Sequence, residues 1–237
     1  MRGFRKETAA GRADAFAAEA DGLDALRPHA RVPRVLDRGI ENGKAFILLE
    51  HLDLGRGGDW AALGRVLAAL HRQTGPRFGW PRDNYIGLSP QQNGWCDGWM
   101  EFWIARRMEP QISWAREKGF DVSMPSMRLF VNHNPKPSLL HGDLWSGNAG
   151  FTAEGPVIFD PAVYYGDRET DLAMTELFGG FPREFYRAYD EAFPLQPGYE
   201  QRKHLYNLYH LLNHLNIFGG GYLAQVRATL RLLAGLL

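Results

Sequence analysis

The chain has 237 residues, with 27 basic and 27 acidic side chains, so it is formally neutral at pH 7. Neutrality without a basic block gives no general hold on nucleic acid or on an anionic membrane surface, and 45% hydrophobic against 23% charged residues excludes wholesale disorder. One cysteine, Cys96, excludes an internal disulfide framework and a cysteine-rich zinc site and fits the reducing cytoplasm, and no apolar run reaches the ~20 residues of a membrane helix.

In chain order, residues 1–6 read as a short strand and residues 12–27 as a helix. Phe16, Glu19, Leu23 and Leu26 recur there at spacings of three and four and so share one face. Residues 32–36 and 44–50 read as two further strands around a turn at 39–43. Beyond Gly55 the pattern becomes helical, and Asp59 is placed to cap a helix carrying Leu63, Val66, Leu67 and Leu70. Residues 77–93, rich in Pro, Gly and Asn, read as an ordered loop. Residues 97–119 read as a helix that Pro110 kinks or splits, and 125–137 as another helix and its exit. Two short strands, 148–151 and 157–159, flank a turn, and four helices follow over 169–178, 182–193, 199–218 and 223–236. The expected class is α+β: a small β-plus-helix lobe of residues 1–53, then a mostly helical lobe of residues 54–237.

The middle of the chain carries Leu140-His141-Gly142-Asp143-Leu144-Trp145-Ser146-Gly147-Asn148, followed downstream by Ile158-Phe159-Asp160-Pro161. Asp143 and Asn148 alone could be turn formers, and Asp160 could be a cap. In this order, with a strand-turn-strand between them, the three match the needs of kinase-type phosphoryl transfer. One Asp accepts a hydrogen bond from the substrate hydroxyl, and an Asn and a second Asp hold magnesium over the nucleotide phosphates. His141 reads as a structural hydrogen-bonding residue of the loop. Glu19 lies on an apolar stripe, where a carboxylate is costly unless paired, and Lys6 on the preceding strand is its natural partner. A strand lysine paired with a helix glutamate positions nucleotide phosphates in protein kinases. Glu50 and Leu52 fall at the crossing between lobes, where their backbone groups could hydrogen-bond adenine.

These residues resemble the fructosamine kinase (ketosamine-3-kinase) family, a branch of the aminoglycoside-phosphotransferase-like kinases. The resemblance is also carried by Phe78-Gly79-Trp80, Asp83-Asn84-Tyr85-Ile86-Gly87, Gln91, Asn93, Trp99-Met100-Glu101-Phe102, Arg106-Arg107 and Pro110-Gln111. Its most specific parts are residues 138–148 and the run Tyr164-Tyr165-Gly166-Asp167-Arg168-Glu169-Thr170-Asp171. It implies a protein-kinase-like two-lobe fold and ATP- and Mg2+-dependent phosphorylation of the 3-hydroxyl of ketosamines. The acceptors would be free small molecules or glycated protein lysines, and the unstable product would release the amine. Asp143 would be the catalytic base, Asn148 and Asp160 the magnesium ligands, and Lys6 and Glu19 the phosphate-positioning pair. Trp145 would contact the sugar and Asp167 would face the substrate, while Asp171 would cap its helix or brace the catalytic loop. Trp80 and Tyr85 are further candidates for the substrate mouth.

The resemblance also implies two strands and a Gly-rich loop before the lysine, whereas five residues precede Lys6 and no G-x-G-x-x-G occurs. The expectation is a sequence that begins inside a longer protein. The alternative is a remnant that keeps the scaffold as a catalytically inactive binding protein. A rival of the same chemistry is a kinase for an aminoglycoside or choline, which the acidic residues across 160–176 would suit. His210 and His214 have metal-ligand spacing without companion ligands, among Leu205, Leu208, Leu212 and Leu215, so packing is expected.

Overall fold

A computed structural model describes residues 3–236. Met1 and Arg2 of the expected first strand lie outside the described residues. Strands β1 (Gly3–Ala9), β2 (Val35–Glu41) and β3 (Lys44–Glu50) form an antiparallel sheet in the order β1-β3-β2. Alternation along β3 sends Ala45, Ile47 and Leu49 inward, where Phe16, Ala20, Leu23 and Leu26 of α1 (Ala13–Leu26) complete the packing. Lys6 stands directly opposite Ile47 and shares that inward face, which brings its ammonium toward α1. The turn expected at 39–43 contracts to Asn42-Gly43, both at positive φ (51° and 76°), and β2 runs on to Glu41. An Asn-Gly pair suits a two-residue hairpin whose twist matches that of its strands.

Residues 51–59 cross to the second part of the chain without helix or strand. The Asp59 carboxylate then accepts from the Ala62 N–H at 2.8 Å and caps α2 (Trp60–His71). The loop expected at 77–93 contains a short hairpin, β4 (Asn84–Ile86) with β5 (Ser89–Gln91). Next, α3 (Trp99–Phe102) widens into a π-helical stretch, Trp103–Met108, that leads into α4 (Glu109–Glu117). Pro110 has no N–H to offer the Arg106 carbonyl, and the Arg107 guanidinium bonds that carbonyl at 3.1 Å instead. The helix continues, widened rather than split.

The helix expected over 125–137 is not formed: only Arg128–Phe130 turns, as a 3-10 helix. Pro125, Pro135 and Pro137 bias the residues before them away from helical backbone, leaving too short a stretch between them. Phe130 still reaches the core, where it packs with Trp99, Trp103 and Tyr206. Two three-residue strands, too short to show alternation in the sequence, pair across the molecule: β6 (Ser138–Leu140) with β9 (Tyr164–Gly166). Between them β7 (Ala149–Thr152) and β8 (Gly155–Ile158) form the expected hairpin. Helices α5 (Glu169–Leu177), α6 (Arg183–Ala192), α7 (Tyr199–Phe218) and α8 (Leu223–Gly235) follow within a residue or two of expectation.

Asp59→Ala should lower unfolding stability by about 1 kcal/mol, the usual worth of a helix N-cap. Chemical denaturation measures it, and an unchanged midpoint would show that the cap bond contributes nothing.

Candidate active site

Strand β6 ends at Leu140 and delivers the loop His141–Asn148, whose entry is fixed by one buried carboxylate. Asp171, on the first turn of α5, accepts the His141 N–H at 2.7 Å on Oδ2 and the Gly142 N–H at 2.8 Å on Oδ1. His71 Nε2 lies 3.1 Å from Oδ2, and His71 Nδ1 is in turn 2.8 Å from the Tyr189 hydroxyl. Burial alone would raise the Asp171 carboxyl, but its bond and charge interaction with His71, with help from His141 and Gly142, hold it below the usual carboxylate range. Of the two roles expected for Asp171, the structure selects the brace.

The loop is also pressed against the segment that carries Asp160. Gly142 sits at φ +85°, and a Cβ there would fall 2.0 Å from the Ala162 carbonyl oxygen, so only glycine fits. His141 Nε2 is 3.0 Å from the Phe159 carbonyl, its backbone carbonyl accepts the Ala162 N–H at 2.8 Å, and its Nδ1 accepts the Asp143 N–H at 3.3 Å. Burial pushes its imidazole pKa down. As expected, His141 is structural.

These contacts bring Asp143, Asn148, Asp160, Lys6 and Glu19 onto the walls of one cleft of about 460 Å³. Asn148 Nδ2 donates to the Asp143 carbonyl at 2.9 Å and to Asp143 Oδ2 at 3.3 Å. Its Oδ1, unbonded among the described residues, is then the atom available to a cation. Lys6 Nζ bridges Glu19 Oε1 at 2.7 Å and Asp160 Oδ1 at 2.5 Å. Burial works against the Lys6 ammonium, but Glu19 and Asp160 outweigh it and raise its pKa, so it stays charged. Burial likewise pushes Glu19 up against the pull of Lys6. Asp160, at φ +56° and with its side chain 45% exposed, offers its carboxylate to the cleft. Asp143 is driven the other way from a surface aspartate: burial, then the nearby charges of Asp160 and Asp171, push its pKa up to about 7. Two carboxylates and an amide oxygen are the hard donors that magnesium takes, and the donor set therefore fits that ion.

The same cleft is also lined by Trp145, Tyr85, Leu88, Asn213, His214 and Phe218. Trp145 is 37% exposed and packs edge-on to Phe178, leaving part of the ring open to a ligand. His214 Nδ1 lies 2.8 Å from the His210 carbonyl, and burial lowers its pKa. The neutral ring therefore donates from Nδ1 and presents Nε2 as an acceptor. Packing was expected for His210 and His214 alike, and nothing in the sequence marked Asn213 and His214 as the face of α7 that reaches the cleft. His210 instead lies buried, its pKa pushed down to about 3 by burial.

The structure departs from two expectations, for Asp167 and Trp80. Asp167 is buried and does not face the cleft: Oδ2 pairs with His133 Nε2 at 2.5 Å and with the Tyr206 hydroxyl, while Oδ1 accepts the Glu169 N–H at 3.1 Å. Glu50 and Leu52, expected to offer backbone groups to adenine, do not line this particular cleft. The Glu50 N–H donates to the Arg34 carbonyl at 2.7 Å, and its carboxylate is gripped by Arg31 at 2.8 and 3.0 Å. That hydrogen bonding is the main reason the Glu50 carboxyl falls to about 2. Trp80 is buried with Nε1 donating to Asp21 at 2.7 Å, so of the two aromatic candidates only Tyr85 reaches the mouth.

The family model for fructosamine kinase matches residues 2–234. A Synechocystis protein described as a probable ketoamine kinase is 48% identical over 228 residues, covering 91% of this chain and 77% of its own length. A chloroplastic protein-ribulosamine 3-kinase of Arabidopsis thaliana is 42% identical over 223 residues, covering 87% of this chain and 68% of that protein. Among solved structures, a Haemophilus somnus protein provisionally named as a fructosamine-3-kinase superposes with a TM-score of 0.91 at 32% identity, over 98% of this chain and 83% of that one. An aminoglycoside phosphotransferase from Streptomyces rimosus, solved with ADP and streptomycin, shares the fold at a TM-score of 0.54 and 18% identity, over 90% of this chain and 86% of that one. The α+β fold is thus the protein-kinase-like fold of these phosphotransferases.

The raised Asp143 pKa has a consequence for stability. An unfolded aspartate ionises near ~3.9 and the folded one near 7, so the unfolded state loses its proton first as pH rises. Stability therefore falls across that window and levels off above it. Asp143→Asn should melt higher than the parent protein at roughly pH 8, with the gap closing toward roughly pH 4. Equal melting temperatures at the higher pH would contradict the raised value.

Proposed function

The chain belongs to the fructosamine kinase family, and we propose that it transfers the γ-phosphoryl group of ATP to the 3-hydroxyl of a ketosamine. The enzyme is a kinase, and sugar-amine adducts are its acceptor class. The observation that carries the residue assignment is the meeting of Asp143, Asn148, Asp160 and the Lys6–Glu19 pair in one cleft, with the Asp143 carboxyl near neutrality.

In this reading Asp143 accepts the proton of the sugar hydroxyl. A group that ionises near pH 7 suits that task, because it is deprotonated in the working range yet still basic. Lys6, held by Glu19, is the cationic partner for the nucleotide phosphates. Asn148 Oδ1 and the Asp160 carboxylate are the ligands for magnesium, which when bound neutralises phosphate charge and helps align the transferred group. Trp145 lies against the apolar face of the sugar, and the Nε2 of His214 can accept from one of its hydroxyls. The 3-phosphate of a ketosamine is unstable, so phosphorylation ends in loss of the sugar and recovery of the amine.

Residues 1–53 would supply the nucleotide side of the cleft and residues 54–237 the loop and acceptor wall. The exposed rim residues Leu88 and Phe218 leave room for an acceptor carried on a protein lysine as well as for a free one. No helix among the described residues is long and apolar enough to cross a membrane, and the free thiol of Cys96 suits the cytoplasm.

Phosphate transfer from ATP to a ketosamine lysine, followed by coupled ADP release, tests the reading directly; no transfer in the presence of magnesium would overturn it. Asp143→Asn should lower kcat by about 10²–10⁴, and kcat/KM of the parent should climb with pH to a plateau above about 7. Trp145→Ala should raise KM for the ketosamine while leaving KM for ATP in place. A change confined to the ATP term would remove Trp145 from the sugar site.

A further inference from the structure

Several residues singled out in the sequence, Asn84, Gln91, Asn93 and Arg107, touch neither the reacting side chains nor each other in any way the sequence suggests. In the structure they form one continuous hydrogen-bonded chain. Arg107 is fully buried, its guanidinium 4.0 Å from the centre of the Tyr164 ring, and donates to Asn93 Oδ1 at 2.9 Å. Asn93 Nδ2 donates to Asn84 Oδ1 at 3.0 Å, and Asn84 Nδ2 donates to the Val163 carbonyl at 2.7 Å. Gln91 joins from the paired strand. It accepts from the Tyr209 hydroxyl at 2.9 Å and donates to Asn84 Oδ1 at 2.8 Å and to the Ala162 carbonyl at 3.1 Å.

The direction of this chain is forced. Arginine has only donors at one end, and backbone carbonyls are only acceptors at the other, so each amide between them has one permitted orientation. Every member is buried, where an unmade bond is costly and a made one is strengthened by the surroundings. The chain ends on Ala162 and Val163, just beyond Asp160. Asp160 itself holds a left-handed backbone, a conformation uncommon for a residue with a side chain though less so for aspartate than for most. On the other side the same segment is held by His141, through Phe159 and Ala162. The catalytic loop grips one flank of the Asp160 segment and the amides of the β4–β5 hairpin grip the other.

We infer that Gln91, Asn84 and Asn93, oriented by Arg107 and Tyr209, are positioning residues that set the Asp160 carboxylate for its cation. This rests on the assignment of Asp160 to magnesium made above. The hairpin also carries Tyr85 and Leu88 on the acceptor wall, so one small element ties the sugar side of the cleft to the cation side.

The test is calorimetric binding of an unhydrolysable ATP analogue across a magnesium titration, alongside turnover and melting temperature. Gln91→Met keeps the length of the side chain but removes the donor to Ala162. Tyr209→Phe removes only the outer bond and keeps the ring, so it serves if the first variant folds poorly. Removing a residue that orients a metal ligand commonly costs ten- to a hundredfold in metal affinity. Gln91→Met should therefore raise the magnesium midpoint by about tenfold, and Tyr209→Phe by a smaller factor, while binding of the analogue without magnesium stays the same. Asp160→Asn is the control. If it leaves the midpoint unmoved, the assignment of Asp160 fails. If it moves the midpoint while folded Gln91→Met and Tyr209→Phe do not, the positioning inference is overturned.

Discussion

The site depends on where the Asp171 carboxylate sits. With both oxygens it holds the first two N–H groups of the catalytic loop, and through His71 and Tyr189 it is itself held by α2 and α6. A buried carboxylate is tolerated only when it is well hydrogen-bonded, and here each oxygen is met by at least one donor held in place by the fold. The loop entry is thereby locked to the helical core. Gly142 can then turn against Ala162 with no side chain between them, and the Asp160 segment registers against the loop. Without that contact the two carboxylates of the cleft would belong to independent loops.

Charge in the cleft is balanced by unequal burial rather than by simple pairing. Of the acidic groups Asp143, Asp160 and Glu19 on the cleft walls, the Lys6 ammonium bonds the last two. Glu19 and Asp160 take it, while Asp143, with an amide donor alone, is lifted to about 7 chiefly by burial and then by the charges of Asp160 and Asp171. The same arrangement leaves negative charge that a divalent cation can neutralise. The proposed base and the proposed cation site would both follow from this uneven distribution of burial and partners.

Much of this was legible along the chain. Asp143, Asn148 and Asp160 lie in one short stretch whose intervening strand-turn-strand returns the chain on itself, so the spacing alone suggested their proximity, although the contacts through Asp171 and Ala162 fix it. Lys6 and Glu19 were legible because a carboxylate on an apolar helix face demands a partner. The long helices were legible from their spacing, and Pro110 was legible as a disturbance, though not as a π-helical widening. Asp167 was misread because it sits in the same charged run as Asp171. Its true partners, His133 and Tyr206, come from distant segments that no local pattern reveals. The partners of Glu50 were hidden in the same way: Arg31, on the chain leading into β2, holds its carboxylate, and the Arg34 carbonyl accepts its N–H.

The sequence by itself determined the chemistry on offer: an acid, an amide and a second acid around a hairpin, a lysine for a buried glutamate, and an aromatic ring beside them. These follow from residue type and short-range spacing along the chain. Only the tertiary structure decided which acid would be hard to ionise, which face of α7 would line the cleft, and which amides would brace the Asp160 segment. Those outcomes depend on burial and on hydrogen-bond partners far apart in the chain, and such properties exist only once distant segments pack together.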